Sequence, residues 1–276
     1  MPHYLLRTTA LACALLTAPL CGAVMLEGEA VQGNIIFGQT EPGSEVRLDD
    51  ESLLVAPDGA FVFGFGRDEV GTVVLEVTTP DAQTEVRELT IQPREYNIER
   101  VDGLPPATVT PPPEVLERIR EDNRQVAAAR ARRDNRADWT GGFIWPAQGR
   151  LSGFYGSQRV LNGEPRRPHY GVDVAAPTGS PVVAPAAGIV TLAHPDLYYS
   201  GGTIIIDHGL GLSSTFLHLS EVDVSEGTAV AQGELIGKIG ASGRATGPHL
   251  DWRMNWLDKR VNPQPLVGEM PAPMEN

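Results

Sequence analysis

The sequence predicts a mainly β protein: a small N-terminal β-sandwich, a linker with one helix, and a larger C-terminal antiparallel β-sheet unit. Three observations predict it. Short apolar runs broken by turn residues recur over residues 24–98 at roughly the 8–12-residue spacing of a sandwich. Residues 114–138 contain no Gly and no Pro and are rich in Glu, Arg, Ala and Gln, a helical composition. Residues 141–267 return to short apolar runs separated by Gly and Pro.

Taken in order, residues 1–23 read as a secretory signal peptide. Arg7 is its lone positive charge, Thr8 to Leu20 is almost wholly apolar, and Cys21-Gly22-Ala23 offers small residues for cleavage. Leu20 is too bulky for the residue that precedes a lipidated cysteine, so Cys21 is not expected to carry a lipid anchor. In the 24–98 unit the strand candidates include Asn34–Phe37, Glu45–Leu48, Ala60–Phe63 and Thr72–Val77, with turns at Glu41-Pro42-Gly43 and Pro57-Asp58-Gly59. Residues 99–140 form the connection. Pro105-Pro106 and Pro111-Pro112-Pro113 favour stiff extended chain, and the helix that follows has only a thin apolar stripe of Val115, Leu116, Ile119 and Val126. Such a helix is expected to lie solvated on a domain surface, or to act as a lid or partner-binding element. Residues 141–267 hold strand candidates at 171–175, 182–184, 188–193, 202–207, 212–219, 235–239 and 249–254, and residues 268–276 form a tail.

Composition narrows the function. The net charge is −13, and loss of Arg7 with the leader makes it −14. That sign argues against a nucleic-acid partner and against electrostatic attachment to anionic lipid. Both cysteines, Cys13 and Cys21, lie in the predicted leader, so the mature chain is expected to hold neither disulfide nor catalytic thiol, and no transmembrane segment follows. Export to the periplasm is inferred from the leader alone.

The chemistry concentrates in His169-Tyr-Gly-Val-Asp173 and His249-Leu-Asp251, since imidazole and carboxylate are the side chains of open hydrolytic metal sites. On a strand His249 and Asp251 point to one face, with Cα atoms about 6.6 Å apart. His169 and Asp173 would be about 13 Å apart on an unbroken strand, so the chain must bend between them, and Gly171 permits a bend. By itself His-x-x-x-Asp is a weak pattern. His218 shares a strand face with Phe216 and Ser220, which leaves core and catalytic roles both open. His208 reads as structural.

The combination is more specific. His169 to Val182, Ala186-Ala-Gly-Ile-Val, Ile206-Asp-His-Gly, Phe216-Leu-His-Leu-Ser, Glu226 to Gly237 and Gly243 to Leu250 follow one another in an order that resembles the M23 peptidases, the lysostaphin-like or LytM family of zinc endopeptidases that cut bacterial cell-wall peptides. The resemblance covers 141–267. It implies a small antiparallel β fold with a groove over one zinc ion, His169 and Asp173 as zinc ligands, and His218 and His249 as catalytic histidines. The family's second motif ends in a histidine that is the third ligand. Here that position is Asp251, a legitimate oxygen ligand for zinc. Counting ligands alone, the site's charge falls from +1 to 0, which implies a less acidified water. Tyr155 is a candidate oxyanion stabiliser, and Arg166 and Arg167 either hold a substrate carboxylate or are solvated charges. The implied substrate is peptidoglycan peptide in the periplasm, with a cell-wall or divisome protein as a further partner. Asp251 also favours an alternative, a catalytically silent LytM-like regulator of cell-wall amidases or wall-binding module.

Overall fold

The computed structural model describes residues 24–101, 113–161 and 163–270. The predicted leader, most of the proline-rich linker and residues 271–276 lie outside the described residues.

The N-terminal unit consists of β1 (Met25–Glu27), β2 (Ile35–Gln39), β3 (Glu45–Leu48), β4 (Glu51–Leu53), β5 (Ala60–Gly64), β6 (Gly71–Thr78), β7 (Thr84–Ile91) and β8 (Ile98–Val101). Strands β1-β2-β5 make one antiparallel sheet and β4-β3-β6-β7 another. The expected sandwich is present. Strand β7 gives little apolar signal because its sequence, Thr-Glu-Val-Arg-Glu-Leu-Thr-Ile, is exposed or half-buried until Ile91. Strand β8 crosses the predicted boundary at residue 98, because it pairs in parallel with a strand of the second unit.

A 3-10 turn (Pro113–Val115) leads into α1 (Leu116–Arg130). The helix was expected to reach 138 and stops at 130. Beyond it the backbone is committed elsewhere: Leu210 N donates to Asp134 O at 2.8 Å and Asp138 N to His208 O at 3.1 Å. Arg136 meanwhile pairs with buried Asp207. Gly209, at φ +90°, lets this strap pass, since a Cβ there would lie 1.9 Å from Arg136 O.

The second unit comprises β9 (Arg150–Gly153), β10 (Gln158–Leu161), β11 (Glu164–Pro165), β12 (Val172–Ala175), β13 (Pro181–Val183), β14 (Gly188–Leu197), β15 (Gly201–Gly209), β16 (Leu212–Val222), β17 (Ala229–Val230), β18 (Leu235–Ile239), β19 (Leu250–Trp256) and β20 (Lys259–Val261). Its main sheet runs β17-β14-β15-β16-β19-β12-β9, with β20 on β19 and β18 joining β16 to β13. Strand β15 is buried along its whole length, because the sheet is covered on both faces. Ile204, Ile206, Phe216, Trp252 and Met254 face the main core. Ile205 packs instead with Leu192, Leu197, Ala129 and Val126 beneath α1. Ile205, Thr215 and Arg253 are register partners across β15, β16 and β19, so they share one face. Asp251 lies two residues from Arg253 on β19 and shares that face too. The helix therefore rests on the sheet face that carries the second His/Asp segment.

The two units share one apolar core. Phe61, Phe63 and Phe65 belong to the same buried cluster as Trp145, Trp252 and Val261. Phe37 lies 4.5 Å from Trp139 between ring centroids. Asn262 N donates to Gly33 O at 2.7 Å, and Lys259 pairs with Glu69 at 2.9 Å.

Candidate metal centre

Asp173 on β12 and Asp251 on β19 are direct register partners, so their carboxylates emerge side by side on one face. His169 precedes β12 and is pinned through its backbone, its N donating to Ser157 O at 2.8 Å and its O accepting from Gly156 N at 2.7 Å. One donor atom from each of His169, Asp173 and Asp251 lies within 4.8 Å of the others. Two glycines make room. A Cβ at Gly171 would meet Asp251 Oδ1 at 2.3 Å, and one at Gly153 would meet Asp173 Oδ2 at 2.1 Å. Gly171 thus matters for the space it leaves beside Asp251 as well as for the bend.

His169 Nε2 and Asp173 Oδ1 lie 3.1 Å apart, yet both are buried without a partner in hydrogen-bond geometry. Burial lowers the basicity of His169, but the Asp173 and Asp251 carboxylates outweigh it and raise its pKa above the usual value. Buried, convergent donor atoms held together without a well-aligned hydrogen bond are what a cation-binding pocket presents.

Asp251 is not a free carboxylate. Arg253 Nε donates to both of its oxygens at 3.0 Å, and Arg253 Nη2 to Oδ2 at 2.5 Å. Burial alone would raise the Asp251 pKa; the Arg253 charge and its hydrogen bonds reverse that and hold it below the usual range. The pair sums to zero charge, the same as a neutral histidine. With a divalent ion, His169, Asp173, Asp251 and Arg253 total +1 rather than the 0 reached from the ligands alone. Sequence reasoning missed Arg253, although the alternation that aligned His249 with Asp251 extends to it.

The two further histidines, His218 and His249, lie together, with ring centroids 4.8 Å apart. His218 does not stay on the face of Phe216. Its φ of +67° breaks the strand alternation and turns it away from the buried Phe216. A β-strand residue held in the left-handed region is a local strain of the kind found at functional sites. Its Nδ1 lies 2.8 Å from Ser242 O, and His249 Nδ1 lies 2.8 Å from Gly247 O. Carbonyl oxygens only accept, so each neutral ring carries its proton on Nδ1 and offers its lone pair at Nε2. Burial lowers the His218 pKa, with Ser242 opposing, which keeps that lone pair available near neutral pH.

Other candidates fall outside this group. Tyr155 is buried, packs against Tyr96 and Tyr170, and donates its hydroxyl to Arg260 O at 2.7 Å. Burial, reinforced by Tyr96 and Tyr170, raises its pKa strongly. Its hydroxyl is thus committed to the backbone rather than presented to an oxyanion, and its role is to fasten the two units. Arg166 and Arg167 are exposed, before His169 in sequence. His208 is fully buried, Nδ1 2.7 Å from Ala187 O and Nε2 2.9 Å from Ser214 Oγ, a structural histidine as read.

Residues 167–263 match Peptidase family M23. Among curated proteins the chain is 39% identical over 97 residues to the peptidoglycan DD-endopeptidase ShyA of Vibrio cholerae, covering 34% of this chain and 22% of that protein. It is 41% identical over 100 residues to the DD-carboxypeptidase/endopeptidase Mpg of Neisseria meningitidis, covering 36% of this chain and 22% of that protein. The chain thus spans about a fifth of the length of these relatives. A crystal structure described as a peptidase M23 from Pseudomonas aeruginosa is 30% identical, with a TM-score of 0.68, over 87% of this chain and 96% of that one. That similarity reaches well beyond the residues of the motif match, and together with that match it shows that the chain belongs to the M23 peptidase family.

Proposed function

We propose that the protein is a zinc-dependent endopeptidase acting on peptide bonds of peptidoglycan in the periplasm, with one zinc ion held by His169, Asp173 and Asp251. The observation that carries this is the convergence of three donor atoms within 4.8 Å, two of them buried and making no well-aligned hydrogen bond. One imidazole nitrogen and two carboxylate oxygens suit zinc, with a coordination position left open.

Zinc, when bound, supplies Lewis-acid polarisation of the scissile carbonyl. The protein's own side chains supply the proton traffic. Each Nε2 of the His218–His249 pair is positioned to take a proton from the attacking water and return it to the leaving amine. The other imidazole donates to the developing oxyanion once protonated. The +1 charge restored by Arg253 replaces the expectation of a weakened site, so activity near neutral pH is retained. Digestion of purified sacculi by the zinc-loaded protein, with and without chelator, tests this; intact sacculi alongside stoichiometric zinc would refute it.

A second reading has one observation in its favour. Arg253 satisfies Asp251 without any metal, as a silent regulator of cell-wall amidases or a wall-binding module would allow. Purified protein that takes up no zinc at micromolar concentration would select it.

A further inference from the structure

Beside the metal centre the same sheet face gathers, around Arg253, two further arginines to which the peptidase chemistry gives no role, Arg130 and Arg260. On β19, Asp251, Arg253 and Asn255 share that face. Asn255 is the register partner of Arg260 on β20, and Arg260 Nη1 donates to Asn255 Oδ1 at 3.0 Å. From the last turn of α1, Arg130 reaches down to Thr215, Nη2 to Oγ1 at 3.0 Å, and Thr215 is the register partner of Arg253. Three guanidiniums from α1, β19 and β20 thus meet over one patch.

Their charges are poorly balanced. Arg253 is spent on Asp251. Among the described residues no carboxylate pairs with Arg130 or Arg260. Arg130 Nε is buried with no hydrogen-bond partner. Burial first, then the charges of Arg260 and Arg253, press the Arg130 pKa well down. Burial, Arg253 and Arg167 bring Arg260 to about 10. The Asp251 carboxylate on this face is taken up by Arg253, which leaves Arg130 and Arg260 without an ion-pair partner among the described residues. Buried like charges without a counter-ion are costly, and the missing partner is an anion.

We propose that Arg130 and Arg260, backed by Arg253, form a carboxylate-binding site next to the metal centre that selects peptide substrates bearing a free carboxylate near the scissile bond. The planar, multiply donating guanidinium matches a carboxylate bidentately, and Arg130 Nε is a buried donor with no hydrogen-bond partner of its own. Because Arg130 is carried by α1, the helix becomes one wall of the substrate site rather than a passive cover. This rests on the peptidase reading for its substrate, while the anion site itself stands on the arginines.

The test uses zinc-loaded protein and two probes, a cross-linked stem peptide with free carboxylates and the same peptide with those groups amidated. Wild type is expected to favour the acid in kcat/KM by on the order of tenfold or more. Arg130→Gln and Arg260→Gln should each pull that ratio towards one, while Arg130→Lys restores part of it. A ratio unmoved by both glutamine variants overturns the site. If neither peptide is cut, the peptidase reading fails, and calorimetric binding of the acid, the amide and acetate to the same proteins decides the anion site. Preference for the acid that weakens in Arg130→Gln sustains it, and equal binding in wild type and variant sinks it; binding of acetate but not the peptide assigns a free-anion site and overturns the substrate role. A purely structural Arg130 would show itself as a lower melting temperature in Arg130→Gln with an unchanged ratio.

Discussion

Arg253 grips both carboxylate oxygens of Asp251 from two residues further along the same strand. The third proposed metal ligand is therefore part of a carboxylate–guanidinium pair, and its energetics should differ with and without a cation. Removing one partner of a buried pair leaves an uncompensated charge, which costs about 3–5 kcal/mol. Arg253→Met should lower the stability of metal-free protein by that order, and zinc should recover much of the loss by taking over as the counter-charge of Asp251. Urea denaturation with and without zinc checks this; a loss below about 1 kcal/mol in metal-free protein would contradict it.

His218 and His249 hold their protons on Nδ1 against backbone carbonyls. His218→Gln and His249→Gln should each keep zinc stoichiometry and lower kcat by about 10²–10⁴-fold. Steady-state rates on a stem peptide, paired with metal analysis of the same samples, separate this from ligand loss.

The two glycines beside the carboxylates are spatial requirements. Gly171→Ala and Gly153→Ala put a methyl against Asp251 and Asp173 and should weaken zinc binding roughly 10–100-fold. Gly141, with nothing within 4 Å of its virtual Cβ, is the control: Gly141→Ala should leave zinc affinity unchanged in a chelator competition.

His208 fixes an acid limit on the fold. Burial lowers its pKa from 6.5 to about 4, so the unfolded chain takes up this proton before the folded one does. Its effect is absent above pH ~6.5 and grows as pH falls towards about 4, where folding has lost on the order of 3 kcal/mol. In His208→Gln the stability difference between pH 7 and pH 4 should shrink accordingly, read by denaturant titration at the two pH values.

Much of the metal centre was legible because its residues lie in two short segments whose chemistry is local. His169 with Asp173, and His249 with Asp251, needed only the strand alternation and one bend. His218 was placed on the wrong face, since a left-handed φ in mid-strand leaves no mark on a Phe-Leu-His-Leu-Ser pattern. Arg253 was within reach of the same alternation. Arg130 was not. It sits 85 residues from Thr215 in sequence, and its contact exists only because α1 settles on the Ile205 face. The end of α1 was similarly invisible, since the strap from Asp134 to Asp138 is dictated by partners on a hairpin far downstream.

The division into an N-terminal β unit and a peptidase unit is a division of sequence, not of packing. Trp139 sits against Phe37, and Val261 sits close over Gly64. A fragment cut to residues 141–267 would carry a raw apolar wound where the other unit had been, and would be expected to clump or to borrow a neighbour's surface. The intact chain, by contrast, should melt in one step, with the half that carries the M23 motifs no more separable from its companion than one half of a zip.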